Sequence, residues 1–473
     1  MAPLSDSASA ASHRKNNMCA RKKIAIWIAL VMMSTVTMVA QPKPTTKDAN
    51  IVNAMQKVSA AQLKANDEKL VSFGTRHTLS SAMPADSGRG IAAAAKWIES
   101  EFERYSKACG GCLEVKLDTF TQAPGERIPQ PIQLTNVYAI LRGSDPESAK
   151  RIIVMSGHYD SRCSGTNDIQ CDAPGANDDG SGTIAVMEAA RVLSQHKFPA
   201  TIIFLTVAGE EQGLYGSKHF AKMAKAEGWN IEADLNNDIV GGDNTPGQDP
   251  TKVRVFSEGI PVAATPQELR LIRAIGAEND SPSRELARYI TDIGKEYFPA
   301  GKFGPVMIYR QDRYLRGGDH TSFNEAGYAA VRFTEWRENY NHQHQTPRTE
   351  NGIEYGDWPK FVNFDFVANV TRLNLATLAS LAAAPAPPAN VRLLTRALVN
   401  DSTLQWEASP ADRVAAYEVV WRNTDSPVWT DVKNVGTAIT ATLPISKDNV
   451  IFGVRSVDAQ GHRSLVVTPL PER

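Results

Sequence analysis

The chain reads as an α/β protein with a largely parallel central sheet, followed by a small all-β sandwich. Three observations predict this. Apolar β-rich runs such as Arg151–Ser156 and Thr201–Val207 alternate with helical patterns of about 10–15 residues, the signature of strands joined by crossover helices. A Pro/Ala segment, residues 383–389, then breaks the alternation. Beyond it only short alternating strands remain.

The elements follow in chain order. Arg14, Lys15, Arg21, Lys22 and Lys23 lead into the apolar run Ile24–Ala40, the pattern of a secretory signal. Residues 1–40 are therefore expected to direct export, to a periplasm or the extracellular space. An uncleaved anchor is the alternative, because about 17 apolar residues lie between an h-region and a span. Met38 is a poor residue at −3, so the cleavage point stays open. Residues 41–382 form the main domain. Apolar residues at helical spacing cover Ile51–Phe73 and Gly90–Tyr105. Leu113–Phe120, Thr135–Arg142, Arg151–Ser156, Thr201–Val207 and Ile231–Asn237 read as strands. Thr183–Ser194, Lys218–Gly228 and Phe364–Leu381 read as helices. Residues 383–389 read as a stiff linker and domain boundary, and residues 390–473 as the sandwich.

Bulk composition sets limits on function. With 473 residues, 42% hydrophobic and 22% charged, the chain can bury a large core in two domains. A net charge of −1 gives no reason to expect nucleic acid or an anionic membrane as partner. Outside the leader, which holds Cys19, the cysteines are Cys109, Cys112, Cys163 and Cys171. An even set in an exported chain predicts the local disulfides Cys109–Cys112 and Cys163–Cys171. Half of a zinc site at Cys109-Gly-Gly-Cys112 is the weaker reading, since no second Cys-x-x-Cys completes it.

The chemistry concentrates in five short segments. His158 follows a buried β run at the strand's carboxyl end, where ligands of open α/β sheets collect. Asp160, two residues on, is placed to hold the second ring nitrogen of that histidine. Asp178 and Asp179 open the helix from Thr183. Either is a good helix cap, and a rigid carboxylate there can also bridge two metals. Glu210 and Glu211 follow Thr201–Val207, where adjacent side chains diverge, so one can ligate while the other serves as general base. Asp238 ends another strand, and His320 follows Gly318-Asp319. One imidazole and one carboxylate for each of two metals, plus a shared aspartate, is a co-catalytic set, and its lack of thiolate suits zinc.

In order, Gly-His-Tyr-Asp-Ser, Gly-Ala-Asn-Asp-Asp-Gly-Ser-Gly, Gly-Glu-Glu-Gln-Gly-Leu-Tyr-Gly-Ser, Asn-Asp and Asp-His resemble the M28 family of co-catalytic zinc peptidases, mostly aminopeptidases. The resemblance covers about Ile51–Leu381. It implies a mixed, mainly parallel eight-stranded sheet between helices and two Zn2+ per chain. It further implies that Asp178 bridges the zincs, with His158 and Asp238 on one and Glu211 and His320 on the other. Glu210 would be the general base, Asp160 would orient His158, and peptide or protein N-termini would be the substrate. Where relatives carry Tyr-His-Thr, this chain has Asn341-His-Gln-His-Gln, and His344 is read as a pocket residue or plain surface loop. Tyr309 and Tyr314 are candidate oxyanion donors. His77 reads as structural or capping, and His196, His219 and His462 as surface histidines without acidic partners.

Downstream, Trp406, Tyr417, Trp421 and Val454–Gly461 resemble a fibronectin type III module. Alternatives remain within and beyond the family: a cyclase-like or carboxypeptidase-like member of the same fold, or a binding protein that uses the C-terminal module. No Gly-x-Ser-x-Gly or His-Glu-x-x-His is present, which removes those serine-hydrolase and zincin readings.

Overall fold

A computed structural model describes residues 47–409 and 413–472. The expected signal segment, with Cys19 and Met38, lies outside the described residues. Where the sequence suggests one helix over 51–73, two form: α1 (Ala49–Gln56) and α2 (Ala60–Val71). Ser59 makes the break. Its hydroxyl accepts from the Gln62 N–H as an N-cap, and its own N–H donates to Glu188 Oε1.

The chain continues through α3 (Ile91–Ala108), β1 (Leu113–Gln122), β2 (Ile132–Leu141), β3 (Arg151–His158), α4 (Ser181–Leu193), β4 (Thr201–Val207), α5 (Tyr215–Ala226) and β5 (Asn230–Asn237). Next come β6 (Lys252–Phe256), α6 (Pro266–Ile275), α7 (Pro282–Tyr297), β7 (Gly304–Ile308), α8 (His320–Glu325) and β8 (Ala330–Glu335). A small hairpin, β9 (Arg348–Glu350) and β10 (Ile353–Tyr355), precedes α9 (Phe364–Ala383). Strands β1–β8 form one sheet in the order β1-β2-β4-β3-β5-β8-β6-β7. The centre β4-β3-β5-β8 is parallel, and antiparallel pairs occur at β1-β2, β2-β4 and β6-β8. This is the mixed, mainly parallel eight-stranded sheet expected.

Successive side chains of β3 and β4 point to opposite faces, and both faces are covered. Ile153, Met155, Ile202 and Phe204 join the core built with α2, α3, α4, α7 and α9. Ile152, Val154, Ile203 and Leu205 pack instead with Phe220 of α5 and Phe323 of α8. That explains why these strands are apolar at every position rather than at alternate ones. Helix α9 is long and apolar enough to cross a membrane, yet 89% of its apolar 18-residue stretch is buried among its neighbours. It is apolar all round because it is covered all round. Close approach also sets the α4–β5 contact: a Cβ on Gly182 would lie 2.1 Å from the Asn237 carbonyl oxygen.

Both disulfides form, Cys109–Cys112 and Cys163–Cys171. The second closes the loop between β3 and α4. Downstream, β11 (Ala389–Leu394), β12 (Ser402–Glu407), β15 (Thr440–Leu443) and β17 (Leu470–Glu472) form a four-stranded sheet. A three-stranded sheet, β13 (Ala416–Asn423), β14 (Asp431–Asn434) and β16 (Val450–Val457), faces it over Val391, Leu404, Trp406, Tyr417, Val419 and Val454.

The Pro/Ala linker is anchored by side chains on either side of it. Ala384 is fully buried, and its carbonyl accepts from Arg151. The Ala386 carbonyl accepts from the hydroxyls of Ser409 and Ser456. The sandwich also docks on α7 through buried charges. Asp280 pairs with Arg422 and Arg288, Arg288 pairs with Glu285, and the Trp429 indole N–H donates to Glu285 at 2.9 Å. Removing one partner from such a set strands the others without water. Asp280→Ala is therefore expected to cost about 3–5 kcal/mol, read from the midpoint of urea unfolding.

Candidate metal centre

Three neighbouring parallel strands end at one place. His158 is the last residue of β3, Glu210 and Glu211 lie just beyond β4, and Asp238 directly follows β5. Asp179 ties these ends together: its carboxylate accepts the backbone N–H groups of His158, Gly182 and Ile239. That leaves Asp178 to face the cluster. Its own N–H and that of Asn177 donate to Asp357 at 2.7 and 2.8 Å. Ile239 holds a left-handed φ of 60°, costly for a β-branched residue, directly after Asp238. The Glu335 N–H and the Thr334 hydroxyl both donate to its carbonyl and hold it there.

The carboxylate of Asp178 faces two imidazoles at once. Its Oδ1 lies 3.4 Å from His158 Nε2, and its Oδ2 lies 2.8 Å from His344 Nε2. Asp238 Oδ1 is 3.8 Å from His158 Nε2, and Glu211 Oε2 is 3.0 Å from His344 Nε2. Two groups of ligand atoms result, each within 4.8 Å of one another: His158, Glu210 and Asp238; and Asp178, Glu211 and His344. Asp160 sits behind. Its backbone carbonyl is 3.1 Å from His158 Nδ1 and its Oδ1 3.5 Å, while its carboxylate also accepts the N–H groups of Glu210 and Glu211. It therefore fixes both the histidine ring and the turn that aims the two glutamates.

His320 does not join this cluster, and His344 stands where it was expected. The ring of His320 is buried at the start of α8, with Nε2 2.8 Å from the Gln311 carbonyl and 3.7 Å from Asp312. His344 arrives on the loop after β8, the fourth parallel strand, with a left-handed φ of 55°. Such strained backbone is a mark of functional positions. β8 carries buried polar residues and lacks the unbroken apolar run that marks β3 and β4, so no apolar strand in the sequence points to His344. Tyr309 and Tyr314 are also misplaced as oxyanion donors. They lie under Arg284 and Arg310, at 4.1 and 4.2 Å, outside the cleft.

Two surface histidines do have acidic partners, Asp118 and Asp48 from distant segments and Asp458 from four residues upstream. His219 meets Asp118 at 3.0 Å, and His462 meets Asp458 at 2.8 Å and Asp48 at 3.0 Å. His77 caps a short turn, accepting the Leu79 N–H on Nδ1.

Electrostatics ask for cations in the cluster. Burial pushes the Glu210 carboxyl well above its usual range; Asp238, Glu211 and Asp319 add to this and His158 opposes it. Burial works against a charged His344, but Glu211 and Asp178 prevail and raise it to about 10. Arg332 pairs with Asp238 at 2.9 Å, and Arg162 donates to Glu211 Oε2 at 3.0 Å and lies 2.6 Å from His344 Nδ1. Even so, His158 Nε2 and Glu211 Oε1 are buried without a hydrogen-bond partner. Orphaned lone pairs among gathered carboxylates fit a site built for divalent ions.

The cluster floors a cleft of about 800 Å³. A mixed α/β sheet carries an imidazole–carboxylate centre at its strand ends, open to this cleft, and the relatives of the chain give its class, a metallopeptidase. Residues 136–356 match the model of peptidase family M28. A probable zinc metalloprotease of Pyrenophora teres f. teres (strain 0-1) is 48% identical over 90% of this chain and 88% of its own length. Another, from Pyricularia oryzae, is 46% identical over 90% and 85%. The chain belongs to family M28. The Legionella pneumophila LapA aminopeptidase shares the fold, with a TM-score of 0.50 at 20% identity, over 73% of this chain and 78% of that one.

Proposed function

We propose that the chain is an exported aminopeptidase that removes N-terminal residues from peptides with two zinc ions. The observation that carries the reading is the carboxylate of Asp178, whose two oxygens face separate imidazoles. His158 and Asp238 would complete one site, and Glu211 and His344 the other. Membership of a family made up mostly of aminopeptidases supplies the reaction class. The basic-then-apolar segment 1–40 supports export, and the two facing sheets of residues 389–472 support a fibronectin type III-like module.

Zinc at these positions would supply Lewis acidity, bringing the pKa of a water toward 7 and polarising the scissile carbonyl. The chain's own groups do the rest. Glu210 lines the cleft beside the cluster and takes the proton from the attacking water as the C–O bond forms. As the C–N bond breaks, the same carboxyl returns that proton to the leaving amine. Asp160 keeps Glu210 and His158 in register throughout.

The test is metal content with activity. Elemental analysis should give two zinc ions per chain. Hydrolysis of aminoacyl p-nitroanilides should vanish on chelation and return with zinc. One zinc per chain in a fully active protein would remove the two-metal reading, and chelator-insensitive hydrolysis would remove the metal.

A further inference from the structure

We infer that the cleft selects peptides bearing a carboxylate next to the scissile bond, and that Arg127 and Lys218 read it. The inference rests on the peptidase reading above and names its substrate class. Outside the metal cluster the cleft is lined by Arg127, Arg162, Lys218, Arg313 and Arg316, against a single acid, Glu126. Apolar lining is confined to Leu214, Tyr215 and Tyr340, too little to enclose a large hydrophobic side chain.

Three of the five cations are already engaged. Arg313 and Arg316 share Glu338 at 3.0 and 3.2 Å, and Arg162 pairs with Glu211 at 3.0 Å. Arg127 and Lys218 differ. Both are exposed, and among the described residues neither is ion-paired with a carboxylate. Each is instead held by a backbone carbonyl of the catalytic turn. Arg127 donates to the carbonyl of Glu211 at 3.0 Å, and Lys218 to that of Gly213 at 3.2 Å. The anchors lie one and three residues past Glu210, and both residues line the cleft that Glu210 lines. An arginine with spare N–H donors forms paired hydrogen bonds with a carboxylate, and a nearby lysine adds a point charge. A cleft lined by one sign of charge also concentrates ligands of the other.

A carboxylate can come from an acidic side chain or from the C-terminus of a short peptide, and the test separates them. Glutamyl- and leucyl-coumarin substrates compare the first residue. Leu-Glu-amide against Leu-Gln-amide compares the second side chain, and free Leu-Gln against its amide compares the terminal carboxylate. At least one pair is expected to favour the carboxylate by about tenfold in kcat/KM, with the preference shrinking in high salt. In the R127Q/K218Q double variant that ratio should fall toward one, while R127K/K218R should preserve most of it, which loss of packing alone would not produce. Equal or better cleavage of the uncharged member in every pair overturns the inference and leaves the peptidase reading standing. A preference that survives in R127Q/K218Q overturns the assignment of these two residues. No hydrolysis of any substrate by the zinc-loaded protein removes the peptidase reading, and this inference with it.

Discussion

Glu210→Gln is expected to lower kcat by about 10²–10⁴-fold while zinc content and fold stay intact. The size follows from what is removed. Glutamine keeps the length and shape of the side chain but cannot accept a proton. Its backbone is held independently of the carboxylate: the Glu210 N–H donates to Asp160, and its carbonyl accepts from Gly213 and Leu214. Each decade of rate is worth about 1.4 kcal/mol of transition-state stabilisation, so a loss in this range matches that of a positioned general base. Zinc content is the discriminating measurement. The carboxylate of Glu210 also falls within ligand reach of His158 and Asp238. If Glu210→Gln loses a zinc along with its activity, Glu210 is a ligand and the base must be sought elsewhere.

The parts of the molecule legible in sequence share a physical cause. Strands β3 and β4 are buried on both faces, so they are unbroken apolar runs, and the polar residues that follow them stand out. His158, Asp160, Glu210 and Glu211 were visible for that reason, as was Asp238 after β5. Between residues 239 and 363 the signal fades. β6 and β7 are short, and β7 is only half-buried. β8 carries Arg332, Thr334 and Glu335, polar groups that are buried because Asp238, the Ile239 carbonyl and Asn177 receive them. A strand whose polar residues are paired by tertiary contacts has no apolar signature. Without β8 there was no strand end to point at His344. Asp357, which holds the Asp178 and Asn177 N–H groups, was invisible for a related reason: its partners lie about 180 residues away. The linker's anchors are hidden for a different reason. Its Pro/Ala composition reads as a stiff linker, and only the fold reveals Arg151, Ser409 and Ser456 binding its carbonyls.

His344→Asn and His320→Asn are expected to separate cleanly. Asparagine suits position 344 because it tolerates the left-handed φ of 55° that alanine would resist. Its shorter side chain withdraws the nitrogen that lies 2.8 Å from Asp178 and 3.0 Å from Glu211. One of two imidazoles is thereby lost, so zinc should fall from two ions per chain toward one. Activity should drop about a hundredfold or more, since the electrostatic contribution of one metal is lost. His320→Asn should act on stability instead. The ring is fully buried, and its removal leaves a small cavity and an unpaired Gln311 carbonyl, costing about 1–3 kcal/mol. Zinc content in the folded protein should remain two. The readouts are independent: elemental analysis for the metal, urea unfolding for the fold. If His320→Asn empties a zinc site while His344→Asn keeps both, His320 is the ligand despite its distance from Asp178, and the loop after β8 must rearrange when the metals bind.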